Sequence, residues 1–253
     1  MTLLLPKLAS TYRLVRYETV GSTNDEAKRL ARDAAQEGTL VWAREQTAGR
    51  GRHGHVWVSP PGNLYASLLL RPSCPVDQAA QLGFVAALGV GDALAAIFSR
   101  LEGLTYKWPN DVLVGGRKLA GILLESELGE GEVLRFVVVG VGINLASSPG
   151  NAEFPATSIV EQGLGQVSPA LALEEFARHF QAWVGRWHEE GFAPIRKAWR
   201  ARAAALGEPI RVRLEPATLH GRFIDIDQHG ALLLESAGEL RRVAAGEVFP
   251  VTR

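Results

Sequence analysis

A segment rich in glycine and arginine, residues 44–57, constrains the fold more than any other part of this 253-residue chain. Within it, residues 49–54 spell GxGxxG, the pattern with which dinucleotide-binding folds hold a pyrophosphate group. That pattern needs a helix directly after it, whereas this chain continues into Val56–Val58 and a turn at 59–63. We therefore exclude a Rossmann fold. Arginines in a glycine frame predict instead a loop that covers an anion, with a plain flexible surface loop as the alternative.

Composition excludes several other classes of protein. The chain carries 27 basic and 27 acidic residues, and this balance gives no sign of a nucleic-acid or membrane partner. The single Cys74 cannot form an internal disulfide, which suits a reducing cytosol, and no base lies near it in sequence. The apolar stretch 82–98 is short and contains Asp92, so we predict a buried core helix rather than a membrane span.

The first helix has a clear start signal. Thr23 and Glu26 fit a capping box, with Ser22 as the alternative N-cap, and the helix is predicted to end near Gly38. The hydroxyl groups of Ser22 and Thr23 have two possible roles. Either they only cap the helix, or they and the helix N-terminus bind a polar group of a ligand.

Apolar runs and turn residues predict the other elements of the main domain. Two hairpin-like pairs, one with the turn Gly115–Gly116, make the sheet mixed rather than purely parallel. The acidic stretch 125–132 is predicted to be an exposed turn, and 145–167 a long excursion. The predicted strands are 13–18, 39–43, 64–70, 105–108, 111–114, 117–124 and 134–139, and the other predicted helices are 78–98, 168–187 and 194–205.

After Gly207 the pattern changes to short strands separated by turns such as 228–230. The predicted strands are 210–214, 219–225, 231–235 and 240–243. A tail of this size is too small to be secure alone, so we predict a small barrel packed on the main domain. The predicted domains are therefore 1–206 and 207–253.

Five motifs in order resemble the biotin–protein ligase family. They are Gly21-Ser22-Thr23-Asn24, Gln46 with 49–54, Lys107-Trp108-Pro109-Asn110-Asp111, Lys118 to Glu125, and Gly140-Val141-Gly142-Ile143-Asn144. The resemblance implies an α+β catalytic domain related to class II aminoacyl-tRNA synthetases, with a mixed, largely antiparallel sheet flanked by helices. It also implies a C-terminal SH3-like barrel.

The resemblance further implies a cytoplasmic, ATP-dependent ligase. Such an enzyme converts biotin to biotinyl-5'-AMP and transfers it to a lysine of the biotin carboxyl carrier protein of acetyl-CoA carboxylase. Mg²⁺ would accompany the ATP, and no metal ligand is assigned. The first step joins two anions, and the resemblance implies that Lys107 lies between the biotin carboxylate and the α-phosphate, where an ammonium group would offset their repulsion.

The family's site residues map onto this sequence by motif. The expected catalytic residues are Lys107 and Arg52. The expected biotin-binding residues are Ser22, Thr23, Asn24, Gln46, Arg50, Gly51, Arg52, Lys107 and Gly140. The expected ATP-binding residues are Arg50, Arg52, Lys107 and Asn144.

Several expectations stay open at this stage. His53, His55 and Val56 stand where many family members carry more basic residues, which puts phosphate contacts beyond Arg52 in doubt. About 12 residues precede the first strand, so we expect neither a winged-helix domain nor specific DNA binding. The rival functions are a lipoate–protein ligase and a non-catalytic biotin sensor.

The oligomeric state is also open between a monomer and a homodimer. We expect the loop of residues 49–55 to be mobile when no ligand is bound.

Overall fold

A computed structural model describes residues 5–150, 153–214 and 217–250. Its main domain is built on a seven-stranded sheet in the order β1-β2-β3-β7-β6-β5-β4. The strands are β1 Arg13–Val20, β2 Thr39–Gln46, β3 Leu64–Leu70, β4 Leu104–Lys107, β5 Asp111–Val114, β6 Arg117–Leu128 and β7 Leu134–Ile143. Only β1 and β2 pair in parallel, and every other neighbouring pair is antiparallel. The predicted mixed, largely antiparallel sheet is confirmed.

Helices cover both faces of this sheet. They are α1 Thr23–Arg32, α2 Val76–Ala79, α3 Leu82–Ile97, α4 Pro169–Glu190 and α5 Phe192–Arg200. Helix α1 buries Ala27 and Ala31 against one face, where Phe136 is fully enclosed. Helices α3, α4 and α5 pack together on the other face and form the larger core.

Helix α3 explains the apolar stretch in the sequence. The segment Val76–Ile97 is long and apolar enough to cross a membrane, but 72% of its most apolar window is buried inside the protein. A helix that is apolar on all sides is typical of the centre of a core. The predicted core helix is therefore observed, although it starts at Leu82 after the separate turn α2.

The C-terminal domain is a five-stranded antiparallel sheet in the order β11-β10-β9-β8-β12. Its strands are β8 Pro209–Arg213, β9 Thr218–Ile226, β10 Leu232–Ser236, β11 Glu239–Val243 and β12 Glu247–Pro250. Its contacts with the main domain include a hydrogen bond and an ion pair. The Trp108 indole N–H donates to the Gly230 carbonyl at 2.9 Å, and Arg196 of α5 pairs with Asp225 at 2.6 Å. This attachment places β12 beside the seven-stranded sheet, close to the end of β4.

Three local predictions differ from the structure. The capping box of Thr23 and Glu26 is wrong, because Thr23 is already helical. The alternative N-cap, Ser22, is the observed one, although it makes no side-chain capping bond. Helix α1 also ends at Arg32, well before Gly38, since Ala34 has turned left-handed with a φ of 64°. The acidic stretch is not all turn, because β6 continues to Leu128. Pairing with β7 holds that segment in the sheet.

Candidate active site

A pocket of about 360 Å³ opens between the seven-stranded sheet and β12. Loop residues from 50 to 57 and the turn after β4 form its sides. Every residue that the sequence nominated lies on its wall: Ser22, Thr23, Asn24, Gln46, Arg50, Gly51, Arg52, Lys107, Gly140 and Asn144. The structure thus brings the scattered motifs together in one place.

One end of the pocket is a network of neutral hydrogen-bonding groups. The backbone N–H and hydroxyl of Thr23 both donate to Gln46 Oε1, at 2.8 and 3.0 Å. The buried Ser67 hydroxyl lies 2.7 Å from Thr23 Oγ1 and 2.6 Å from Asn24 Oδ1. Ser59 completes the network, since Gln46 Nε2 donates to its hydroxyl at 3.0 Å. Such mutual support fixes the polar groups before a ligand arrives.

The sequence did not identify Ser67 or Ser59 as part of this end. Ser67 lies inside the apolar run 64–70 and Ser59 opens the turn at 59–63, and a serine in either place carries no signal of its own. Their roles come from cross-sheet contacts with residues far away in the chain.

Glycines in β6 and β7 let side chains approach the sheet closely. A Cβ at Gly140 would lie 2.2 Å from Asn24 Oδ1, and one at Gly142 would lie 2.5 Å from the Trp57 ring. Asn24 and Trp57 occupy the space that a side chain would take, so these glycines position the wall of the pocket.

Arg50 is bound to carboxylates of the protein. Its guanidinium donates to both oxygens of Asp25 and reaches Glu125 at 3.1 Å. These hydrogen bonds lower the pKa of Asp25 to about 2. Arg50 therefore has carboxylate partners in the protein itself and does not depend on a ligand to balance its charge. Lys28 shares Glu125 at 2.7 Å, a contact that no motif predicted.

Arg52 is in a different electrostatic state. Its Nη1 donates to the Gly246 carbonyl at 3.0 Å, and no described residue forms an ion pair with it. Burial lowers the pKa of its guanidinium, and the charges of Glu247 and Asp111 offset this only in part. A partly desolvated cation with no ion-pair partner favours an anionic ligand.

Two lysines share one buried carboxylate at the other end of the pocket. Lys107 Nζ lies 3.0 Å from Asp111 Oδ2, and Lys118 Nζ lies 2.6 Å from Oδ1. Burial alone would raise the pKa of Asp111, but the Lys118 and Lys107 ammonium groups outweigh it and lower that pKa. Asp111 therefore stays ionised and holds both cations in place.

The two lysines differ in access to the pocket. Lys107 is enclosed by the Phe154 ring at 4.0 Å and the Val248 carbonyl at 3.4 Å, and its side chain is 12% exposed. Lys118 stands over the Trp57 ring at 5.3 Å and is 25% exposed. Sequence reasoning nominated Lys107 and passed over Lys118, although Lys118 opens one of the five motifs.

The small domain also contributes to the pocket. Glu247 of β12 pairs with Arg213 and lies 3.1 Å from His55 Nε2, while Arg213 also binds Glu153 at 2.7 Å. These contacts connect the glycine–arginine loop to the barrel. No sequence pattern predicted these contacts, because β12 was not among the predicted strands.

A metal cage is not evident in residues 5–150, 153–214 and 217–250. No group of three or more metal-binding side chains lies together there. The carboxylates that line the pocket are already paired with protein cations, as with Asp111 and Glu247. A divalent ion would therefore take most of its ligands from a bound substrate rather than from the protein.

Comparison with known proteins agrees with this arrangement. The sequence model of the biotin/lipoate A/B protein ligase family matches residues 17–144, about half of the chain. That of the biotin protein ligase C-terminal domain matches residues 205–249. A biotin–[acetyl-CoA-carboxylase] ligase of Paracoccus denitrificans is 47% identical over 234 residues, covering 90% of this chain and 96% of that protein.

More distant relatives also match most of the chain. The bifunctional ligase/repressor of Bacillus subtilis is 34% identical over 93% of this chain and 73% of its own length. The structure of biotin protein ligase from Aquifex aeolicus in complex with biotin and ATP superposes with a TM-score of 0.80. It is 27% identical, and the match covers 94% of this chain and 97% of that one. The resemblance suggested by the five motifs is thereby confirmed, and the chain belongs to the biotin/lipoate A/B protein ligase family.

Proposed function

We propose that this protein activates biotin with ATP and transfers it to a lysine of the biotin carboxyl carrier protein of acetyl-CoA carboxylase. One observation carries the proposal. A single pocket joins a neutral hydrogen-bonding end, around Thr23 and Gln46, to a cationic end formed by Arg52, Lys107 and Lys118. Biotin has the matching polarity, with a neutral ureido ring at one end and a carboxylate at the other.

The neutral end suits the ureido group because every donor and acceptor there must be matched. An unmatched polar group in a closed pocket costs about 1–3 kcal/mol. Thr23, Gln46 and Asn24 offer both donors and acceptors, held in place by Ser67. These groups already bond to one another, and a lipoyl ring, with a disulfide there, would add no hydrogen bond to the network, whereas a ureido group can, which favours biotin over lipoate.

The cationic end suits the first reaction. A carboxylate oxygen of biotin attacks the α-phosphorus of ATP, a P–O bond forms, and the bond to pyrophosphate breaks. Both reactants are anions, so fixed positive charge reduces their repulsion and stabilises the charge that develops. We assign this role to Lys118 together with Lys107, since Asp111 holds both ammonium groups at one point.

In the second reaction the amine of the acceptor lysine attacks the carbonyl carbon of biotinyl-5'-AMP. A C–N bond forms, the C–O bond to AMP breaks, and the amine proton is released. Arg52 is suited to hold the phosphate of the adenylate because no carboxylate competes for its guanidinium among the described residues. The loop that carries Arg52 would also keep water away from the reactive anhydride.

Mg²⁺ fits this pocket as a companion of ATP. Magnesium usually binds through one or two oxygen ligands of the protein together with substrate phosphates. The carboxylates here are neutralised by lysine and arginine, so the triphosphate is the main source of ligands. When bound, the ion would neutralise the leaving pyrophosphate.

A cytoplasmic location is part of the same proposal, supported by the single, partly buried Cys74.

Biotin-dependent exchange of pyrophosphate into ATP tests the proposal. Lys118→Ala and Lys107→Ala should each lower the exchange rate by about 100-fold or more, the usual effect of removing a charge-stabilising group. Lys197→Ala is the matched control, since this lysine is exposed on α5. Exchange supported by lipoate but not by biotin would show a lipoate ligase. Tight biotin binding without any exchange would show a sensor.

A further inference from the structure

Glu125 of β6 supports the wall of the ligand pocket, although its own side chain does not line that pocket. Its carboxylate accepts a hydrogen bond from Asn24 Nδ2 at 2.8 Å and pairs with Lys28 at 2.7 Å and with Arg50 at 3.1 Å. Burial alone would raise the pKa of Glu125, but the hydrogen bonds from Lys28 and Asn24 outweigh it and lower that pKa. The carboxylate therefore stays ionised, and it reaches a ligand only through the residues that it holds.

The Asn24 amide is fixed in one orientation. Its nitrogen faces two groups that can only accept hydrogen bonds, the Glu125 carboxylate at 2.8 Å and the Leu123 carbonyl at 3.4 Å. A reversed amide would place Oδ1 against both of them. The amide also packs directly on the backbone of Gly140, where a Cβ would lie 2.2 Å from Oδ1. Asn24 Oδ1 therefore faces the buried Ser67 hydroxyl, which lies 2.6 Å away.

This orientation decides where two hydroxyl protons go. The Ser67 hydroxyl has one proton, and Asn24 Oδ1 accepts it. The contact of 2.7 Å between Ser67 Oγ and Thr23 Oγ1 is then a hydrogen bond only if Thr23 donates. The Thr23 proton thus has two acceptors, Ser67 Oγ and Gln46 Oε1, the latter at 3.0 Å. When it points to Ser67, Thr23 Oγ1 and Gln46 Oε1 can both accept hydrogen bonds from a ligand.

We propose that Glu125 is a positioning residue, which orients Asn24 so that Thr23 and Gln46 present acceptors to N–H groups of the ligand. The inference rests on the proposed function, since the ureido ring of biotin carries such N–H groups. A flipped Asn24 would donate to Ser67, the Ser67 proton would pass to Thr23, and the Thr23 proton would occupy Gln46 Oε1. The protein's own protons would then fill the acceptors that the ligand needs.

The Kd for biotin, measured by calorimetry without ATP, tests this role. Glu125→Leu removes the acceptor and should raise the Kd about tenfold or more, since an unmatched buried polar group is costly. Glu125→Gln keeps an acceptor for Asn24 but loses the charge, so its Kd should stay within about threefold of that of the unmodified protein. Asp25→Asn is the matched control, because it removes the other carboxylate that binds Arg50 and leaves the contact between Asn24 and Glu125 in place. Its Kd should also stay within about threefold.

An exchange of groups tests the orientation itself and does not depend on how well Glu125→Leu folds. Asn24→Asp alone places a carboxylate against the Glu125 carboxylate and the Leu123 carbonyl, and it should raise the Kd about tenfold or more. In the double variant with Glu125→Gln, the amide at position 125 can donate to the carboxylate at position 24. The other carboxylate oxygen still accepts from Ser67, so the affinity should recover by about fivefold or more.

Two results would overturn the proposal. Equal losses in Glu125→Leu and Glu125→Gln would show that the charge of Glu125 matters and the orientation of Asn24 does not. Failure of Glu125→Gln to improve biotin binding by Asn24→Asp would show the same. If the unmodified protein binds no biotin, the proposed function fails instead.

Discussion

Gly142→Ala should damage the active site while leaving the fold intact. The backbone of Gly142 lies in β7 and does not have a positive φ, so alanine fits the strand itself. Its Cβ, however, would stand 2.5 Å from Trp57 Cε2 and 2.6 Å from Nε1. Ordinary carbon contacts begin at about 3.5 Å, so the Trp57 ring has to retreat by about 1 Å.

This displacement of the Trp57 ring determines how much the reaction rate should fall. The Trp57 ring forms part of the pocket wall and lies under the Lys118 ammonium at 5.3 Å. A misplacement of about 1 Å near reacting groups can lower the rate about 100-fold, which corresponds to about 2.7 kcal/mol. The fold should tolerate the change, because Trp57 belongs to a loop and its indole N–H bonds to no described residue.

The measurement is kcat/KM for biotin in pyrophosphate exchange, together with the thermal midpoint of unfolding. Gly185→Ala is the control, since a Cβ at this position in α4 meets nothing within 4 Å. It should leave exchange unchanged and raise the free energy of unfolding by about 0.5–1 kcal/mol. Normal exchange by Gly142→Ala would refute the assignment of Trp57 to the pocket wall, and a collapse of the thermal midpoint would refute the claim that the ring can move.

Three other variants probe separate parts of the molecule. Arg50 lowers the pKa of Asp25 from 3.8 to about 2, so this pair stabilises the fold above about pH 4 and loses that effect as the pH falls towards 2. The thermal midpoints of Asp25→Asn and the unmodified protein should therefore differ at pH 7 and converge near pH 2, and a constant difference would contradict this. Trp199→Ala should lower the free energy of unfolding by about 3–5 kcal/mol, because the ring is 1% exposed and packs on Phe84. Denaturant titrations measure this, and a loss below about 1 kcal/mol would be inconsistent with that packing. Arg52→Ala should release biotinyl-5'-AMP and so biotinylate unrelated added proteins, with faster amide hydrogen exchange across 49–55; unchanged exchange would count against a closing loop.

Local patterns predicted the parts of the fold that depend on local physics. The apolar runs at 64–70 and 134–139 became the buried strands β3 and β7. The paired glycines Gly115 and Gly116 both adopt positive φ in the turn between β5 and β6. The nominated residues line one pocket because the ends of β2 and β4 and the start of α1 lie beside Gly140 of the central strand β7.

What the sequence missed depends on contacts between distant residues. Glu125 looked like part of an acidic turn, yet the neighbouring strand β7 keeps it in β6, where it binds Lys28 and Arg50. Glu247 has no local signal, because its role comes only from docking the barrel beside His55. Neither partner can be read from spacing, since each lies on another element of the fold.

The cationic end of the pocket carries a positive charge that the chain as a whole does not have. The whole chain has a formal net charge of zero, and Arg50 is already balanced by Asp25 and Glu125. Around the cationic end, by contrast, four cations (Arg52, Lys107, Lys118 and Arg213) face three carboxylates (Asp111, Glu153 and Glu247), which leaves a local surplus of one positive charge. Keeping such a surplus without counter-charge is unfavourable in a partly buried pocket, so an anion that enters it should stabilise the fold. A non-hydrolysable analogue of biotinyl-5'-AMP should therefore raise the thermal midpoint more than biotin alone, and this difference should shrink when Lys118 is replaced by alanine.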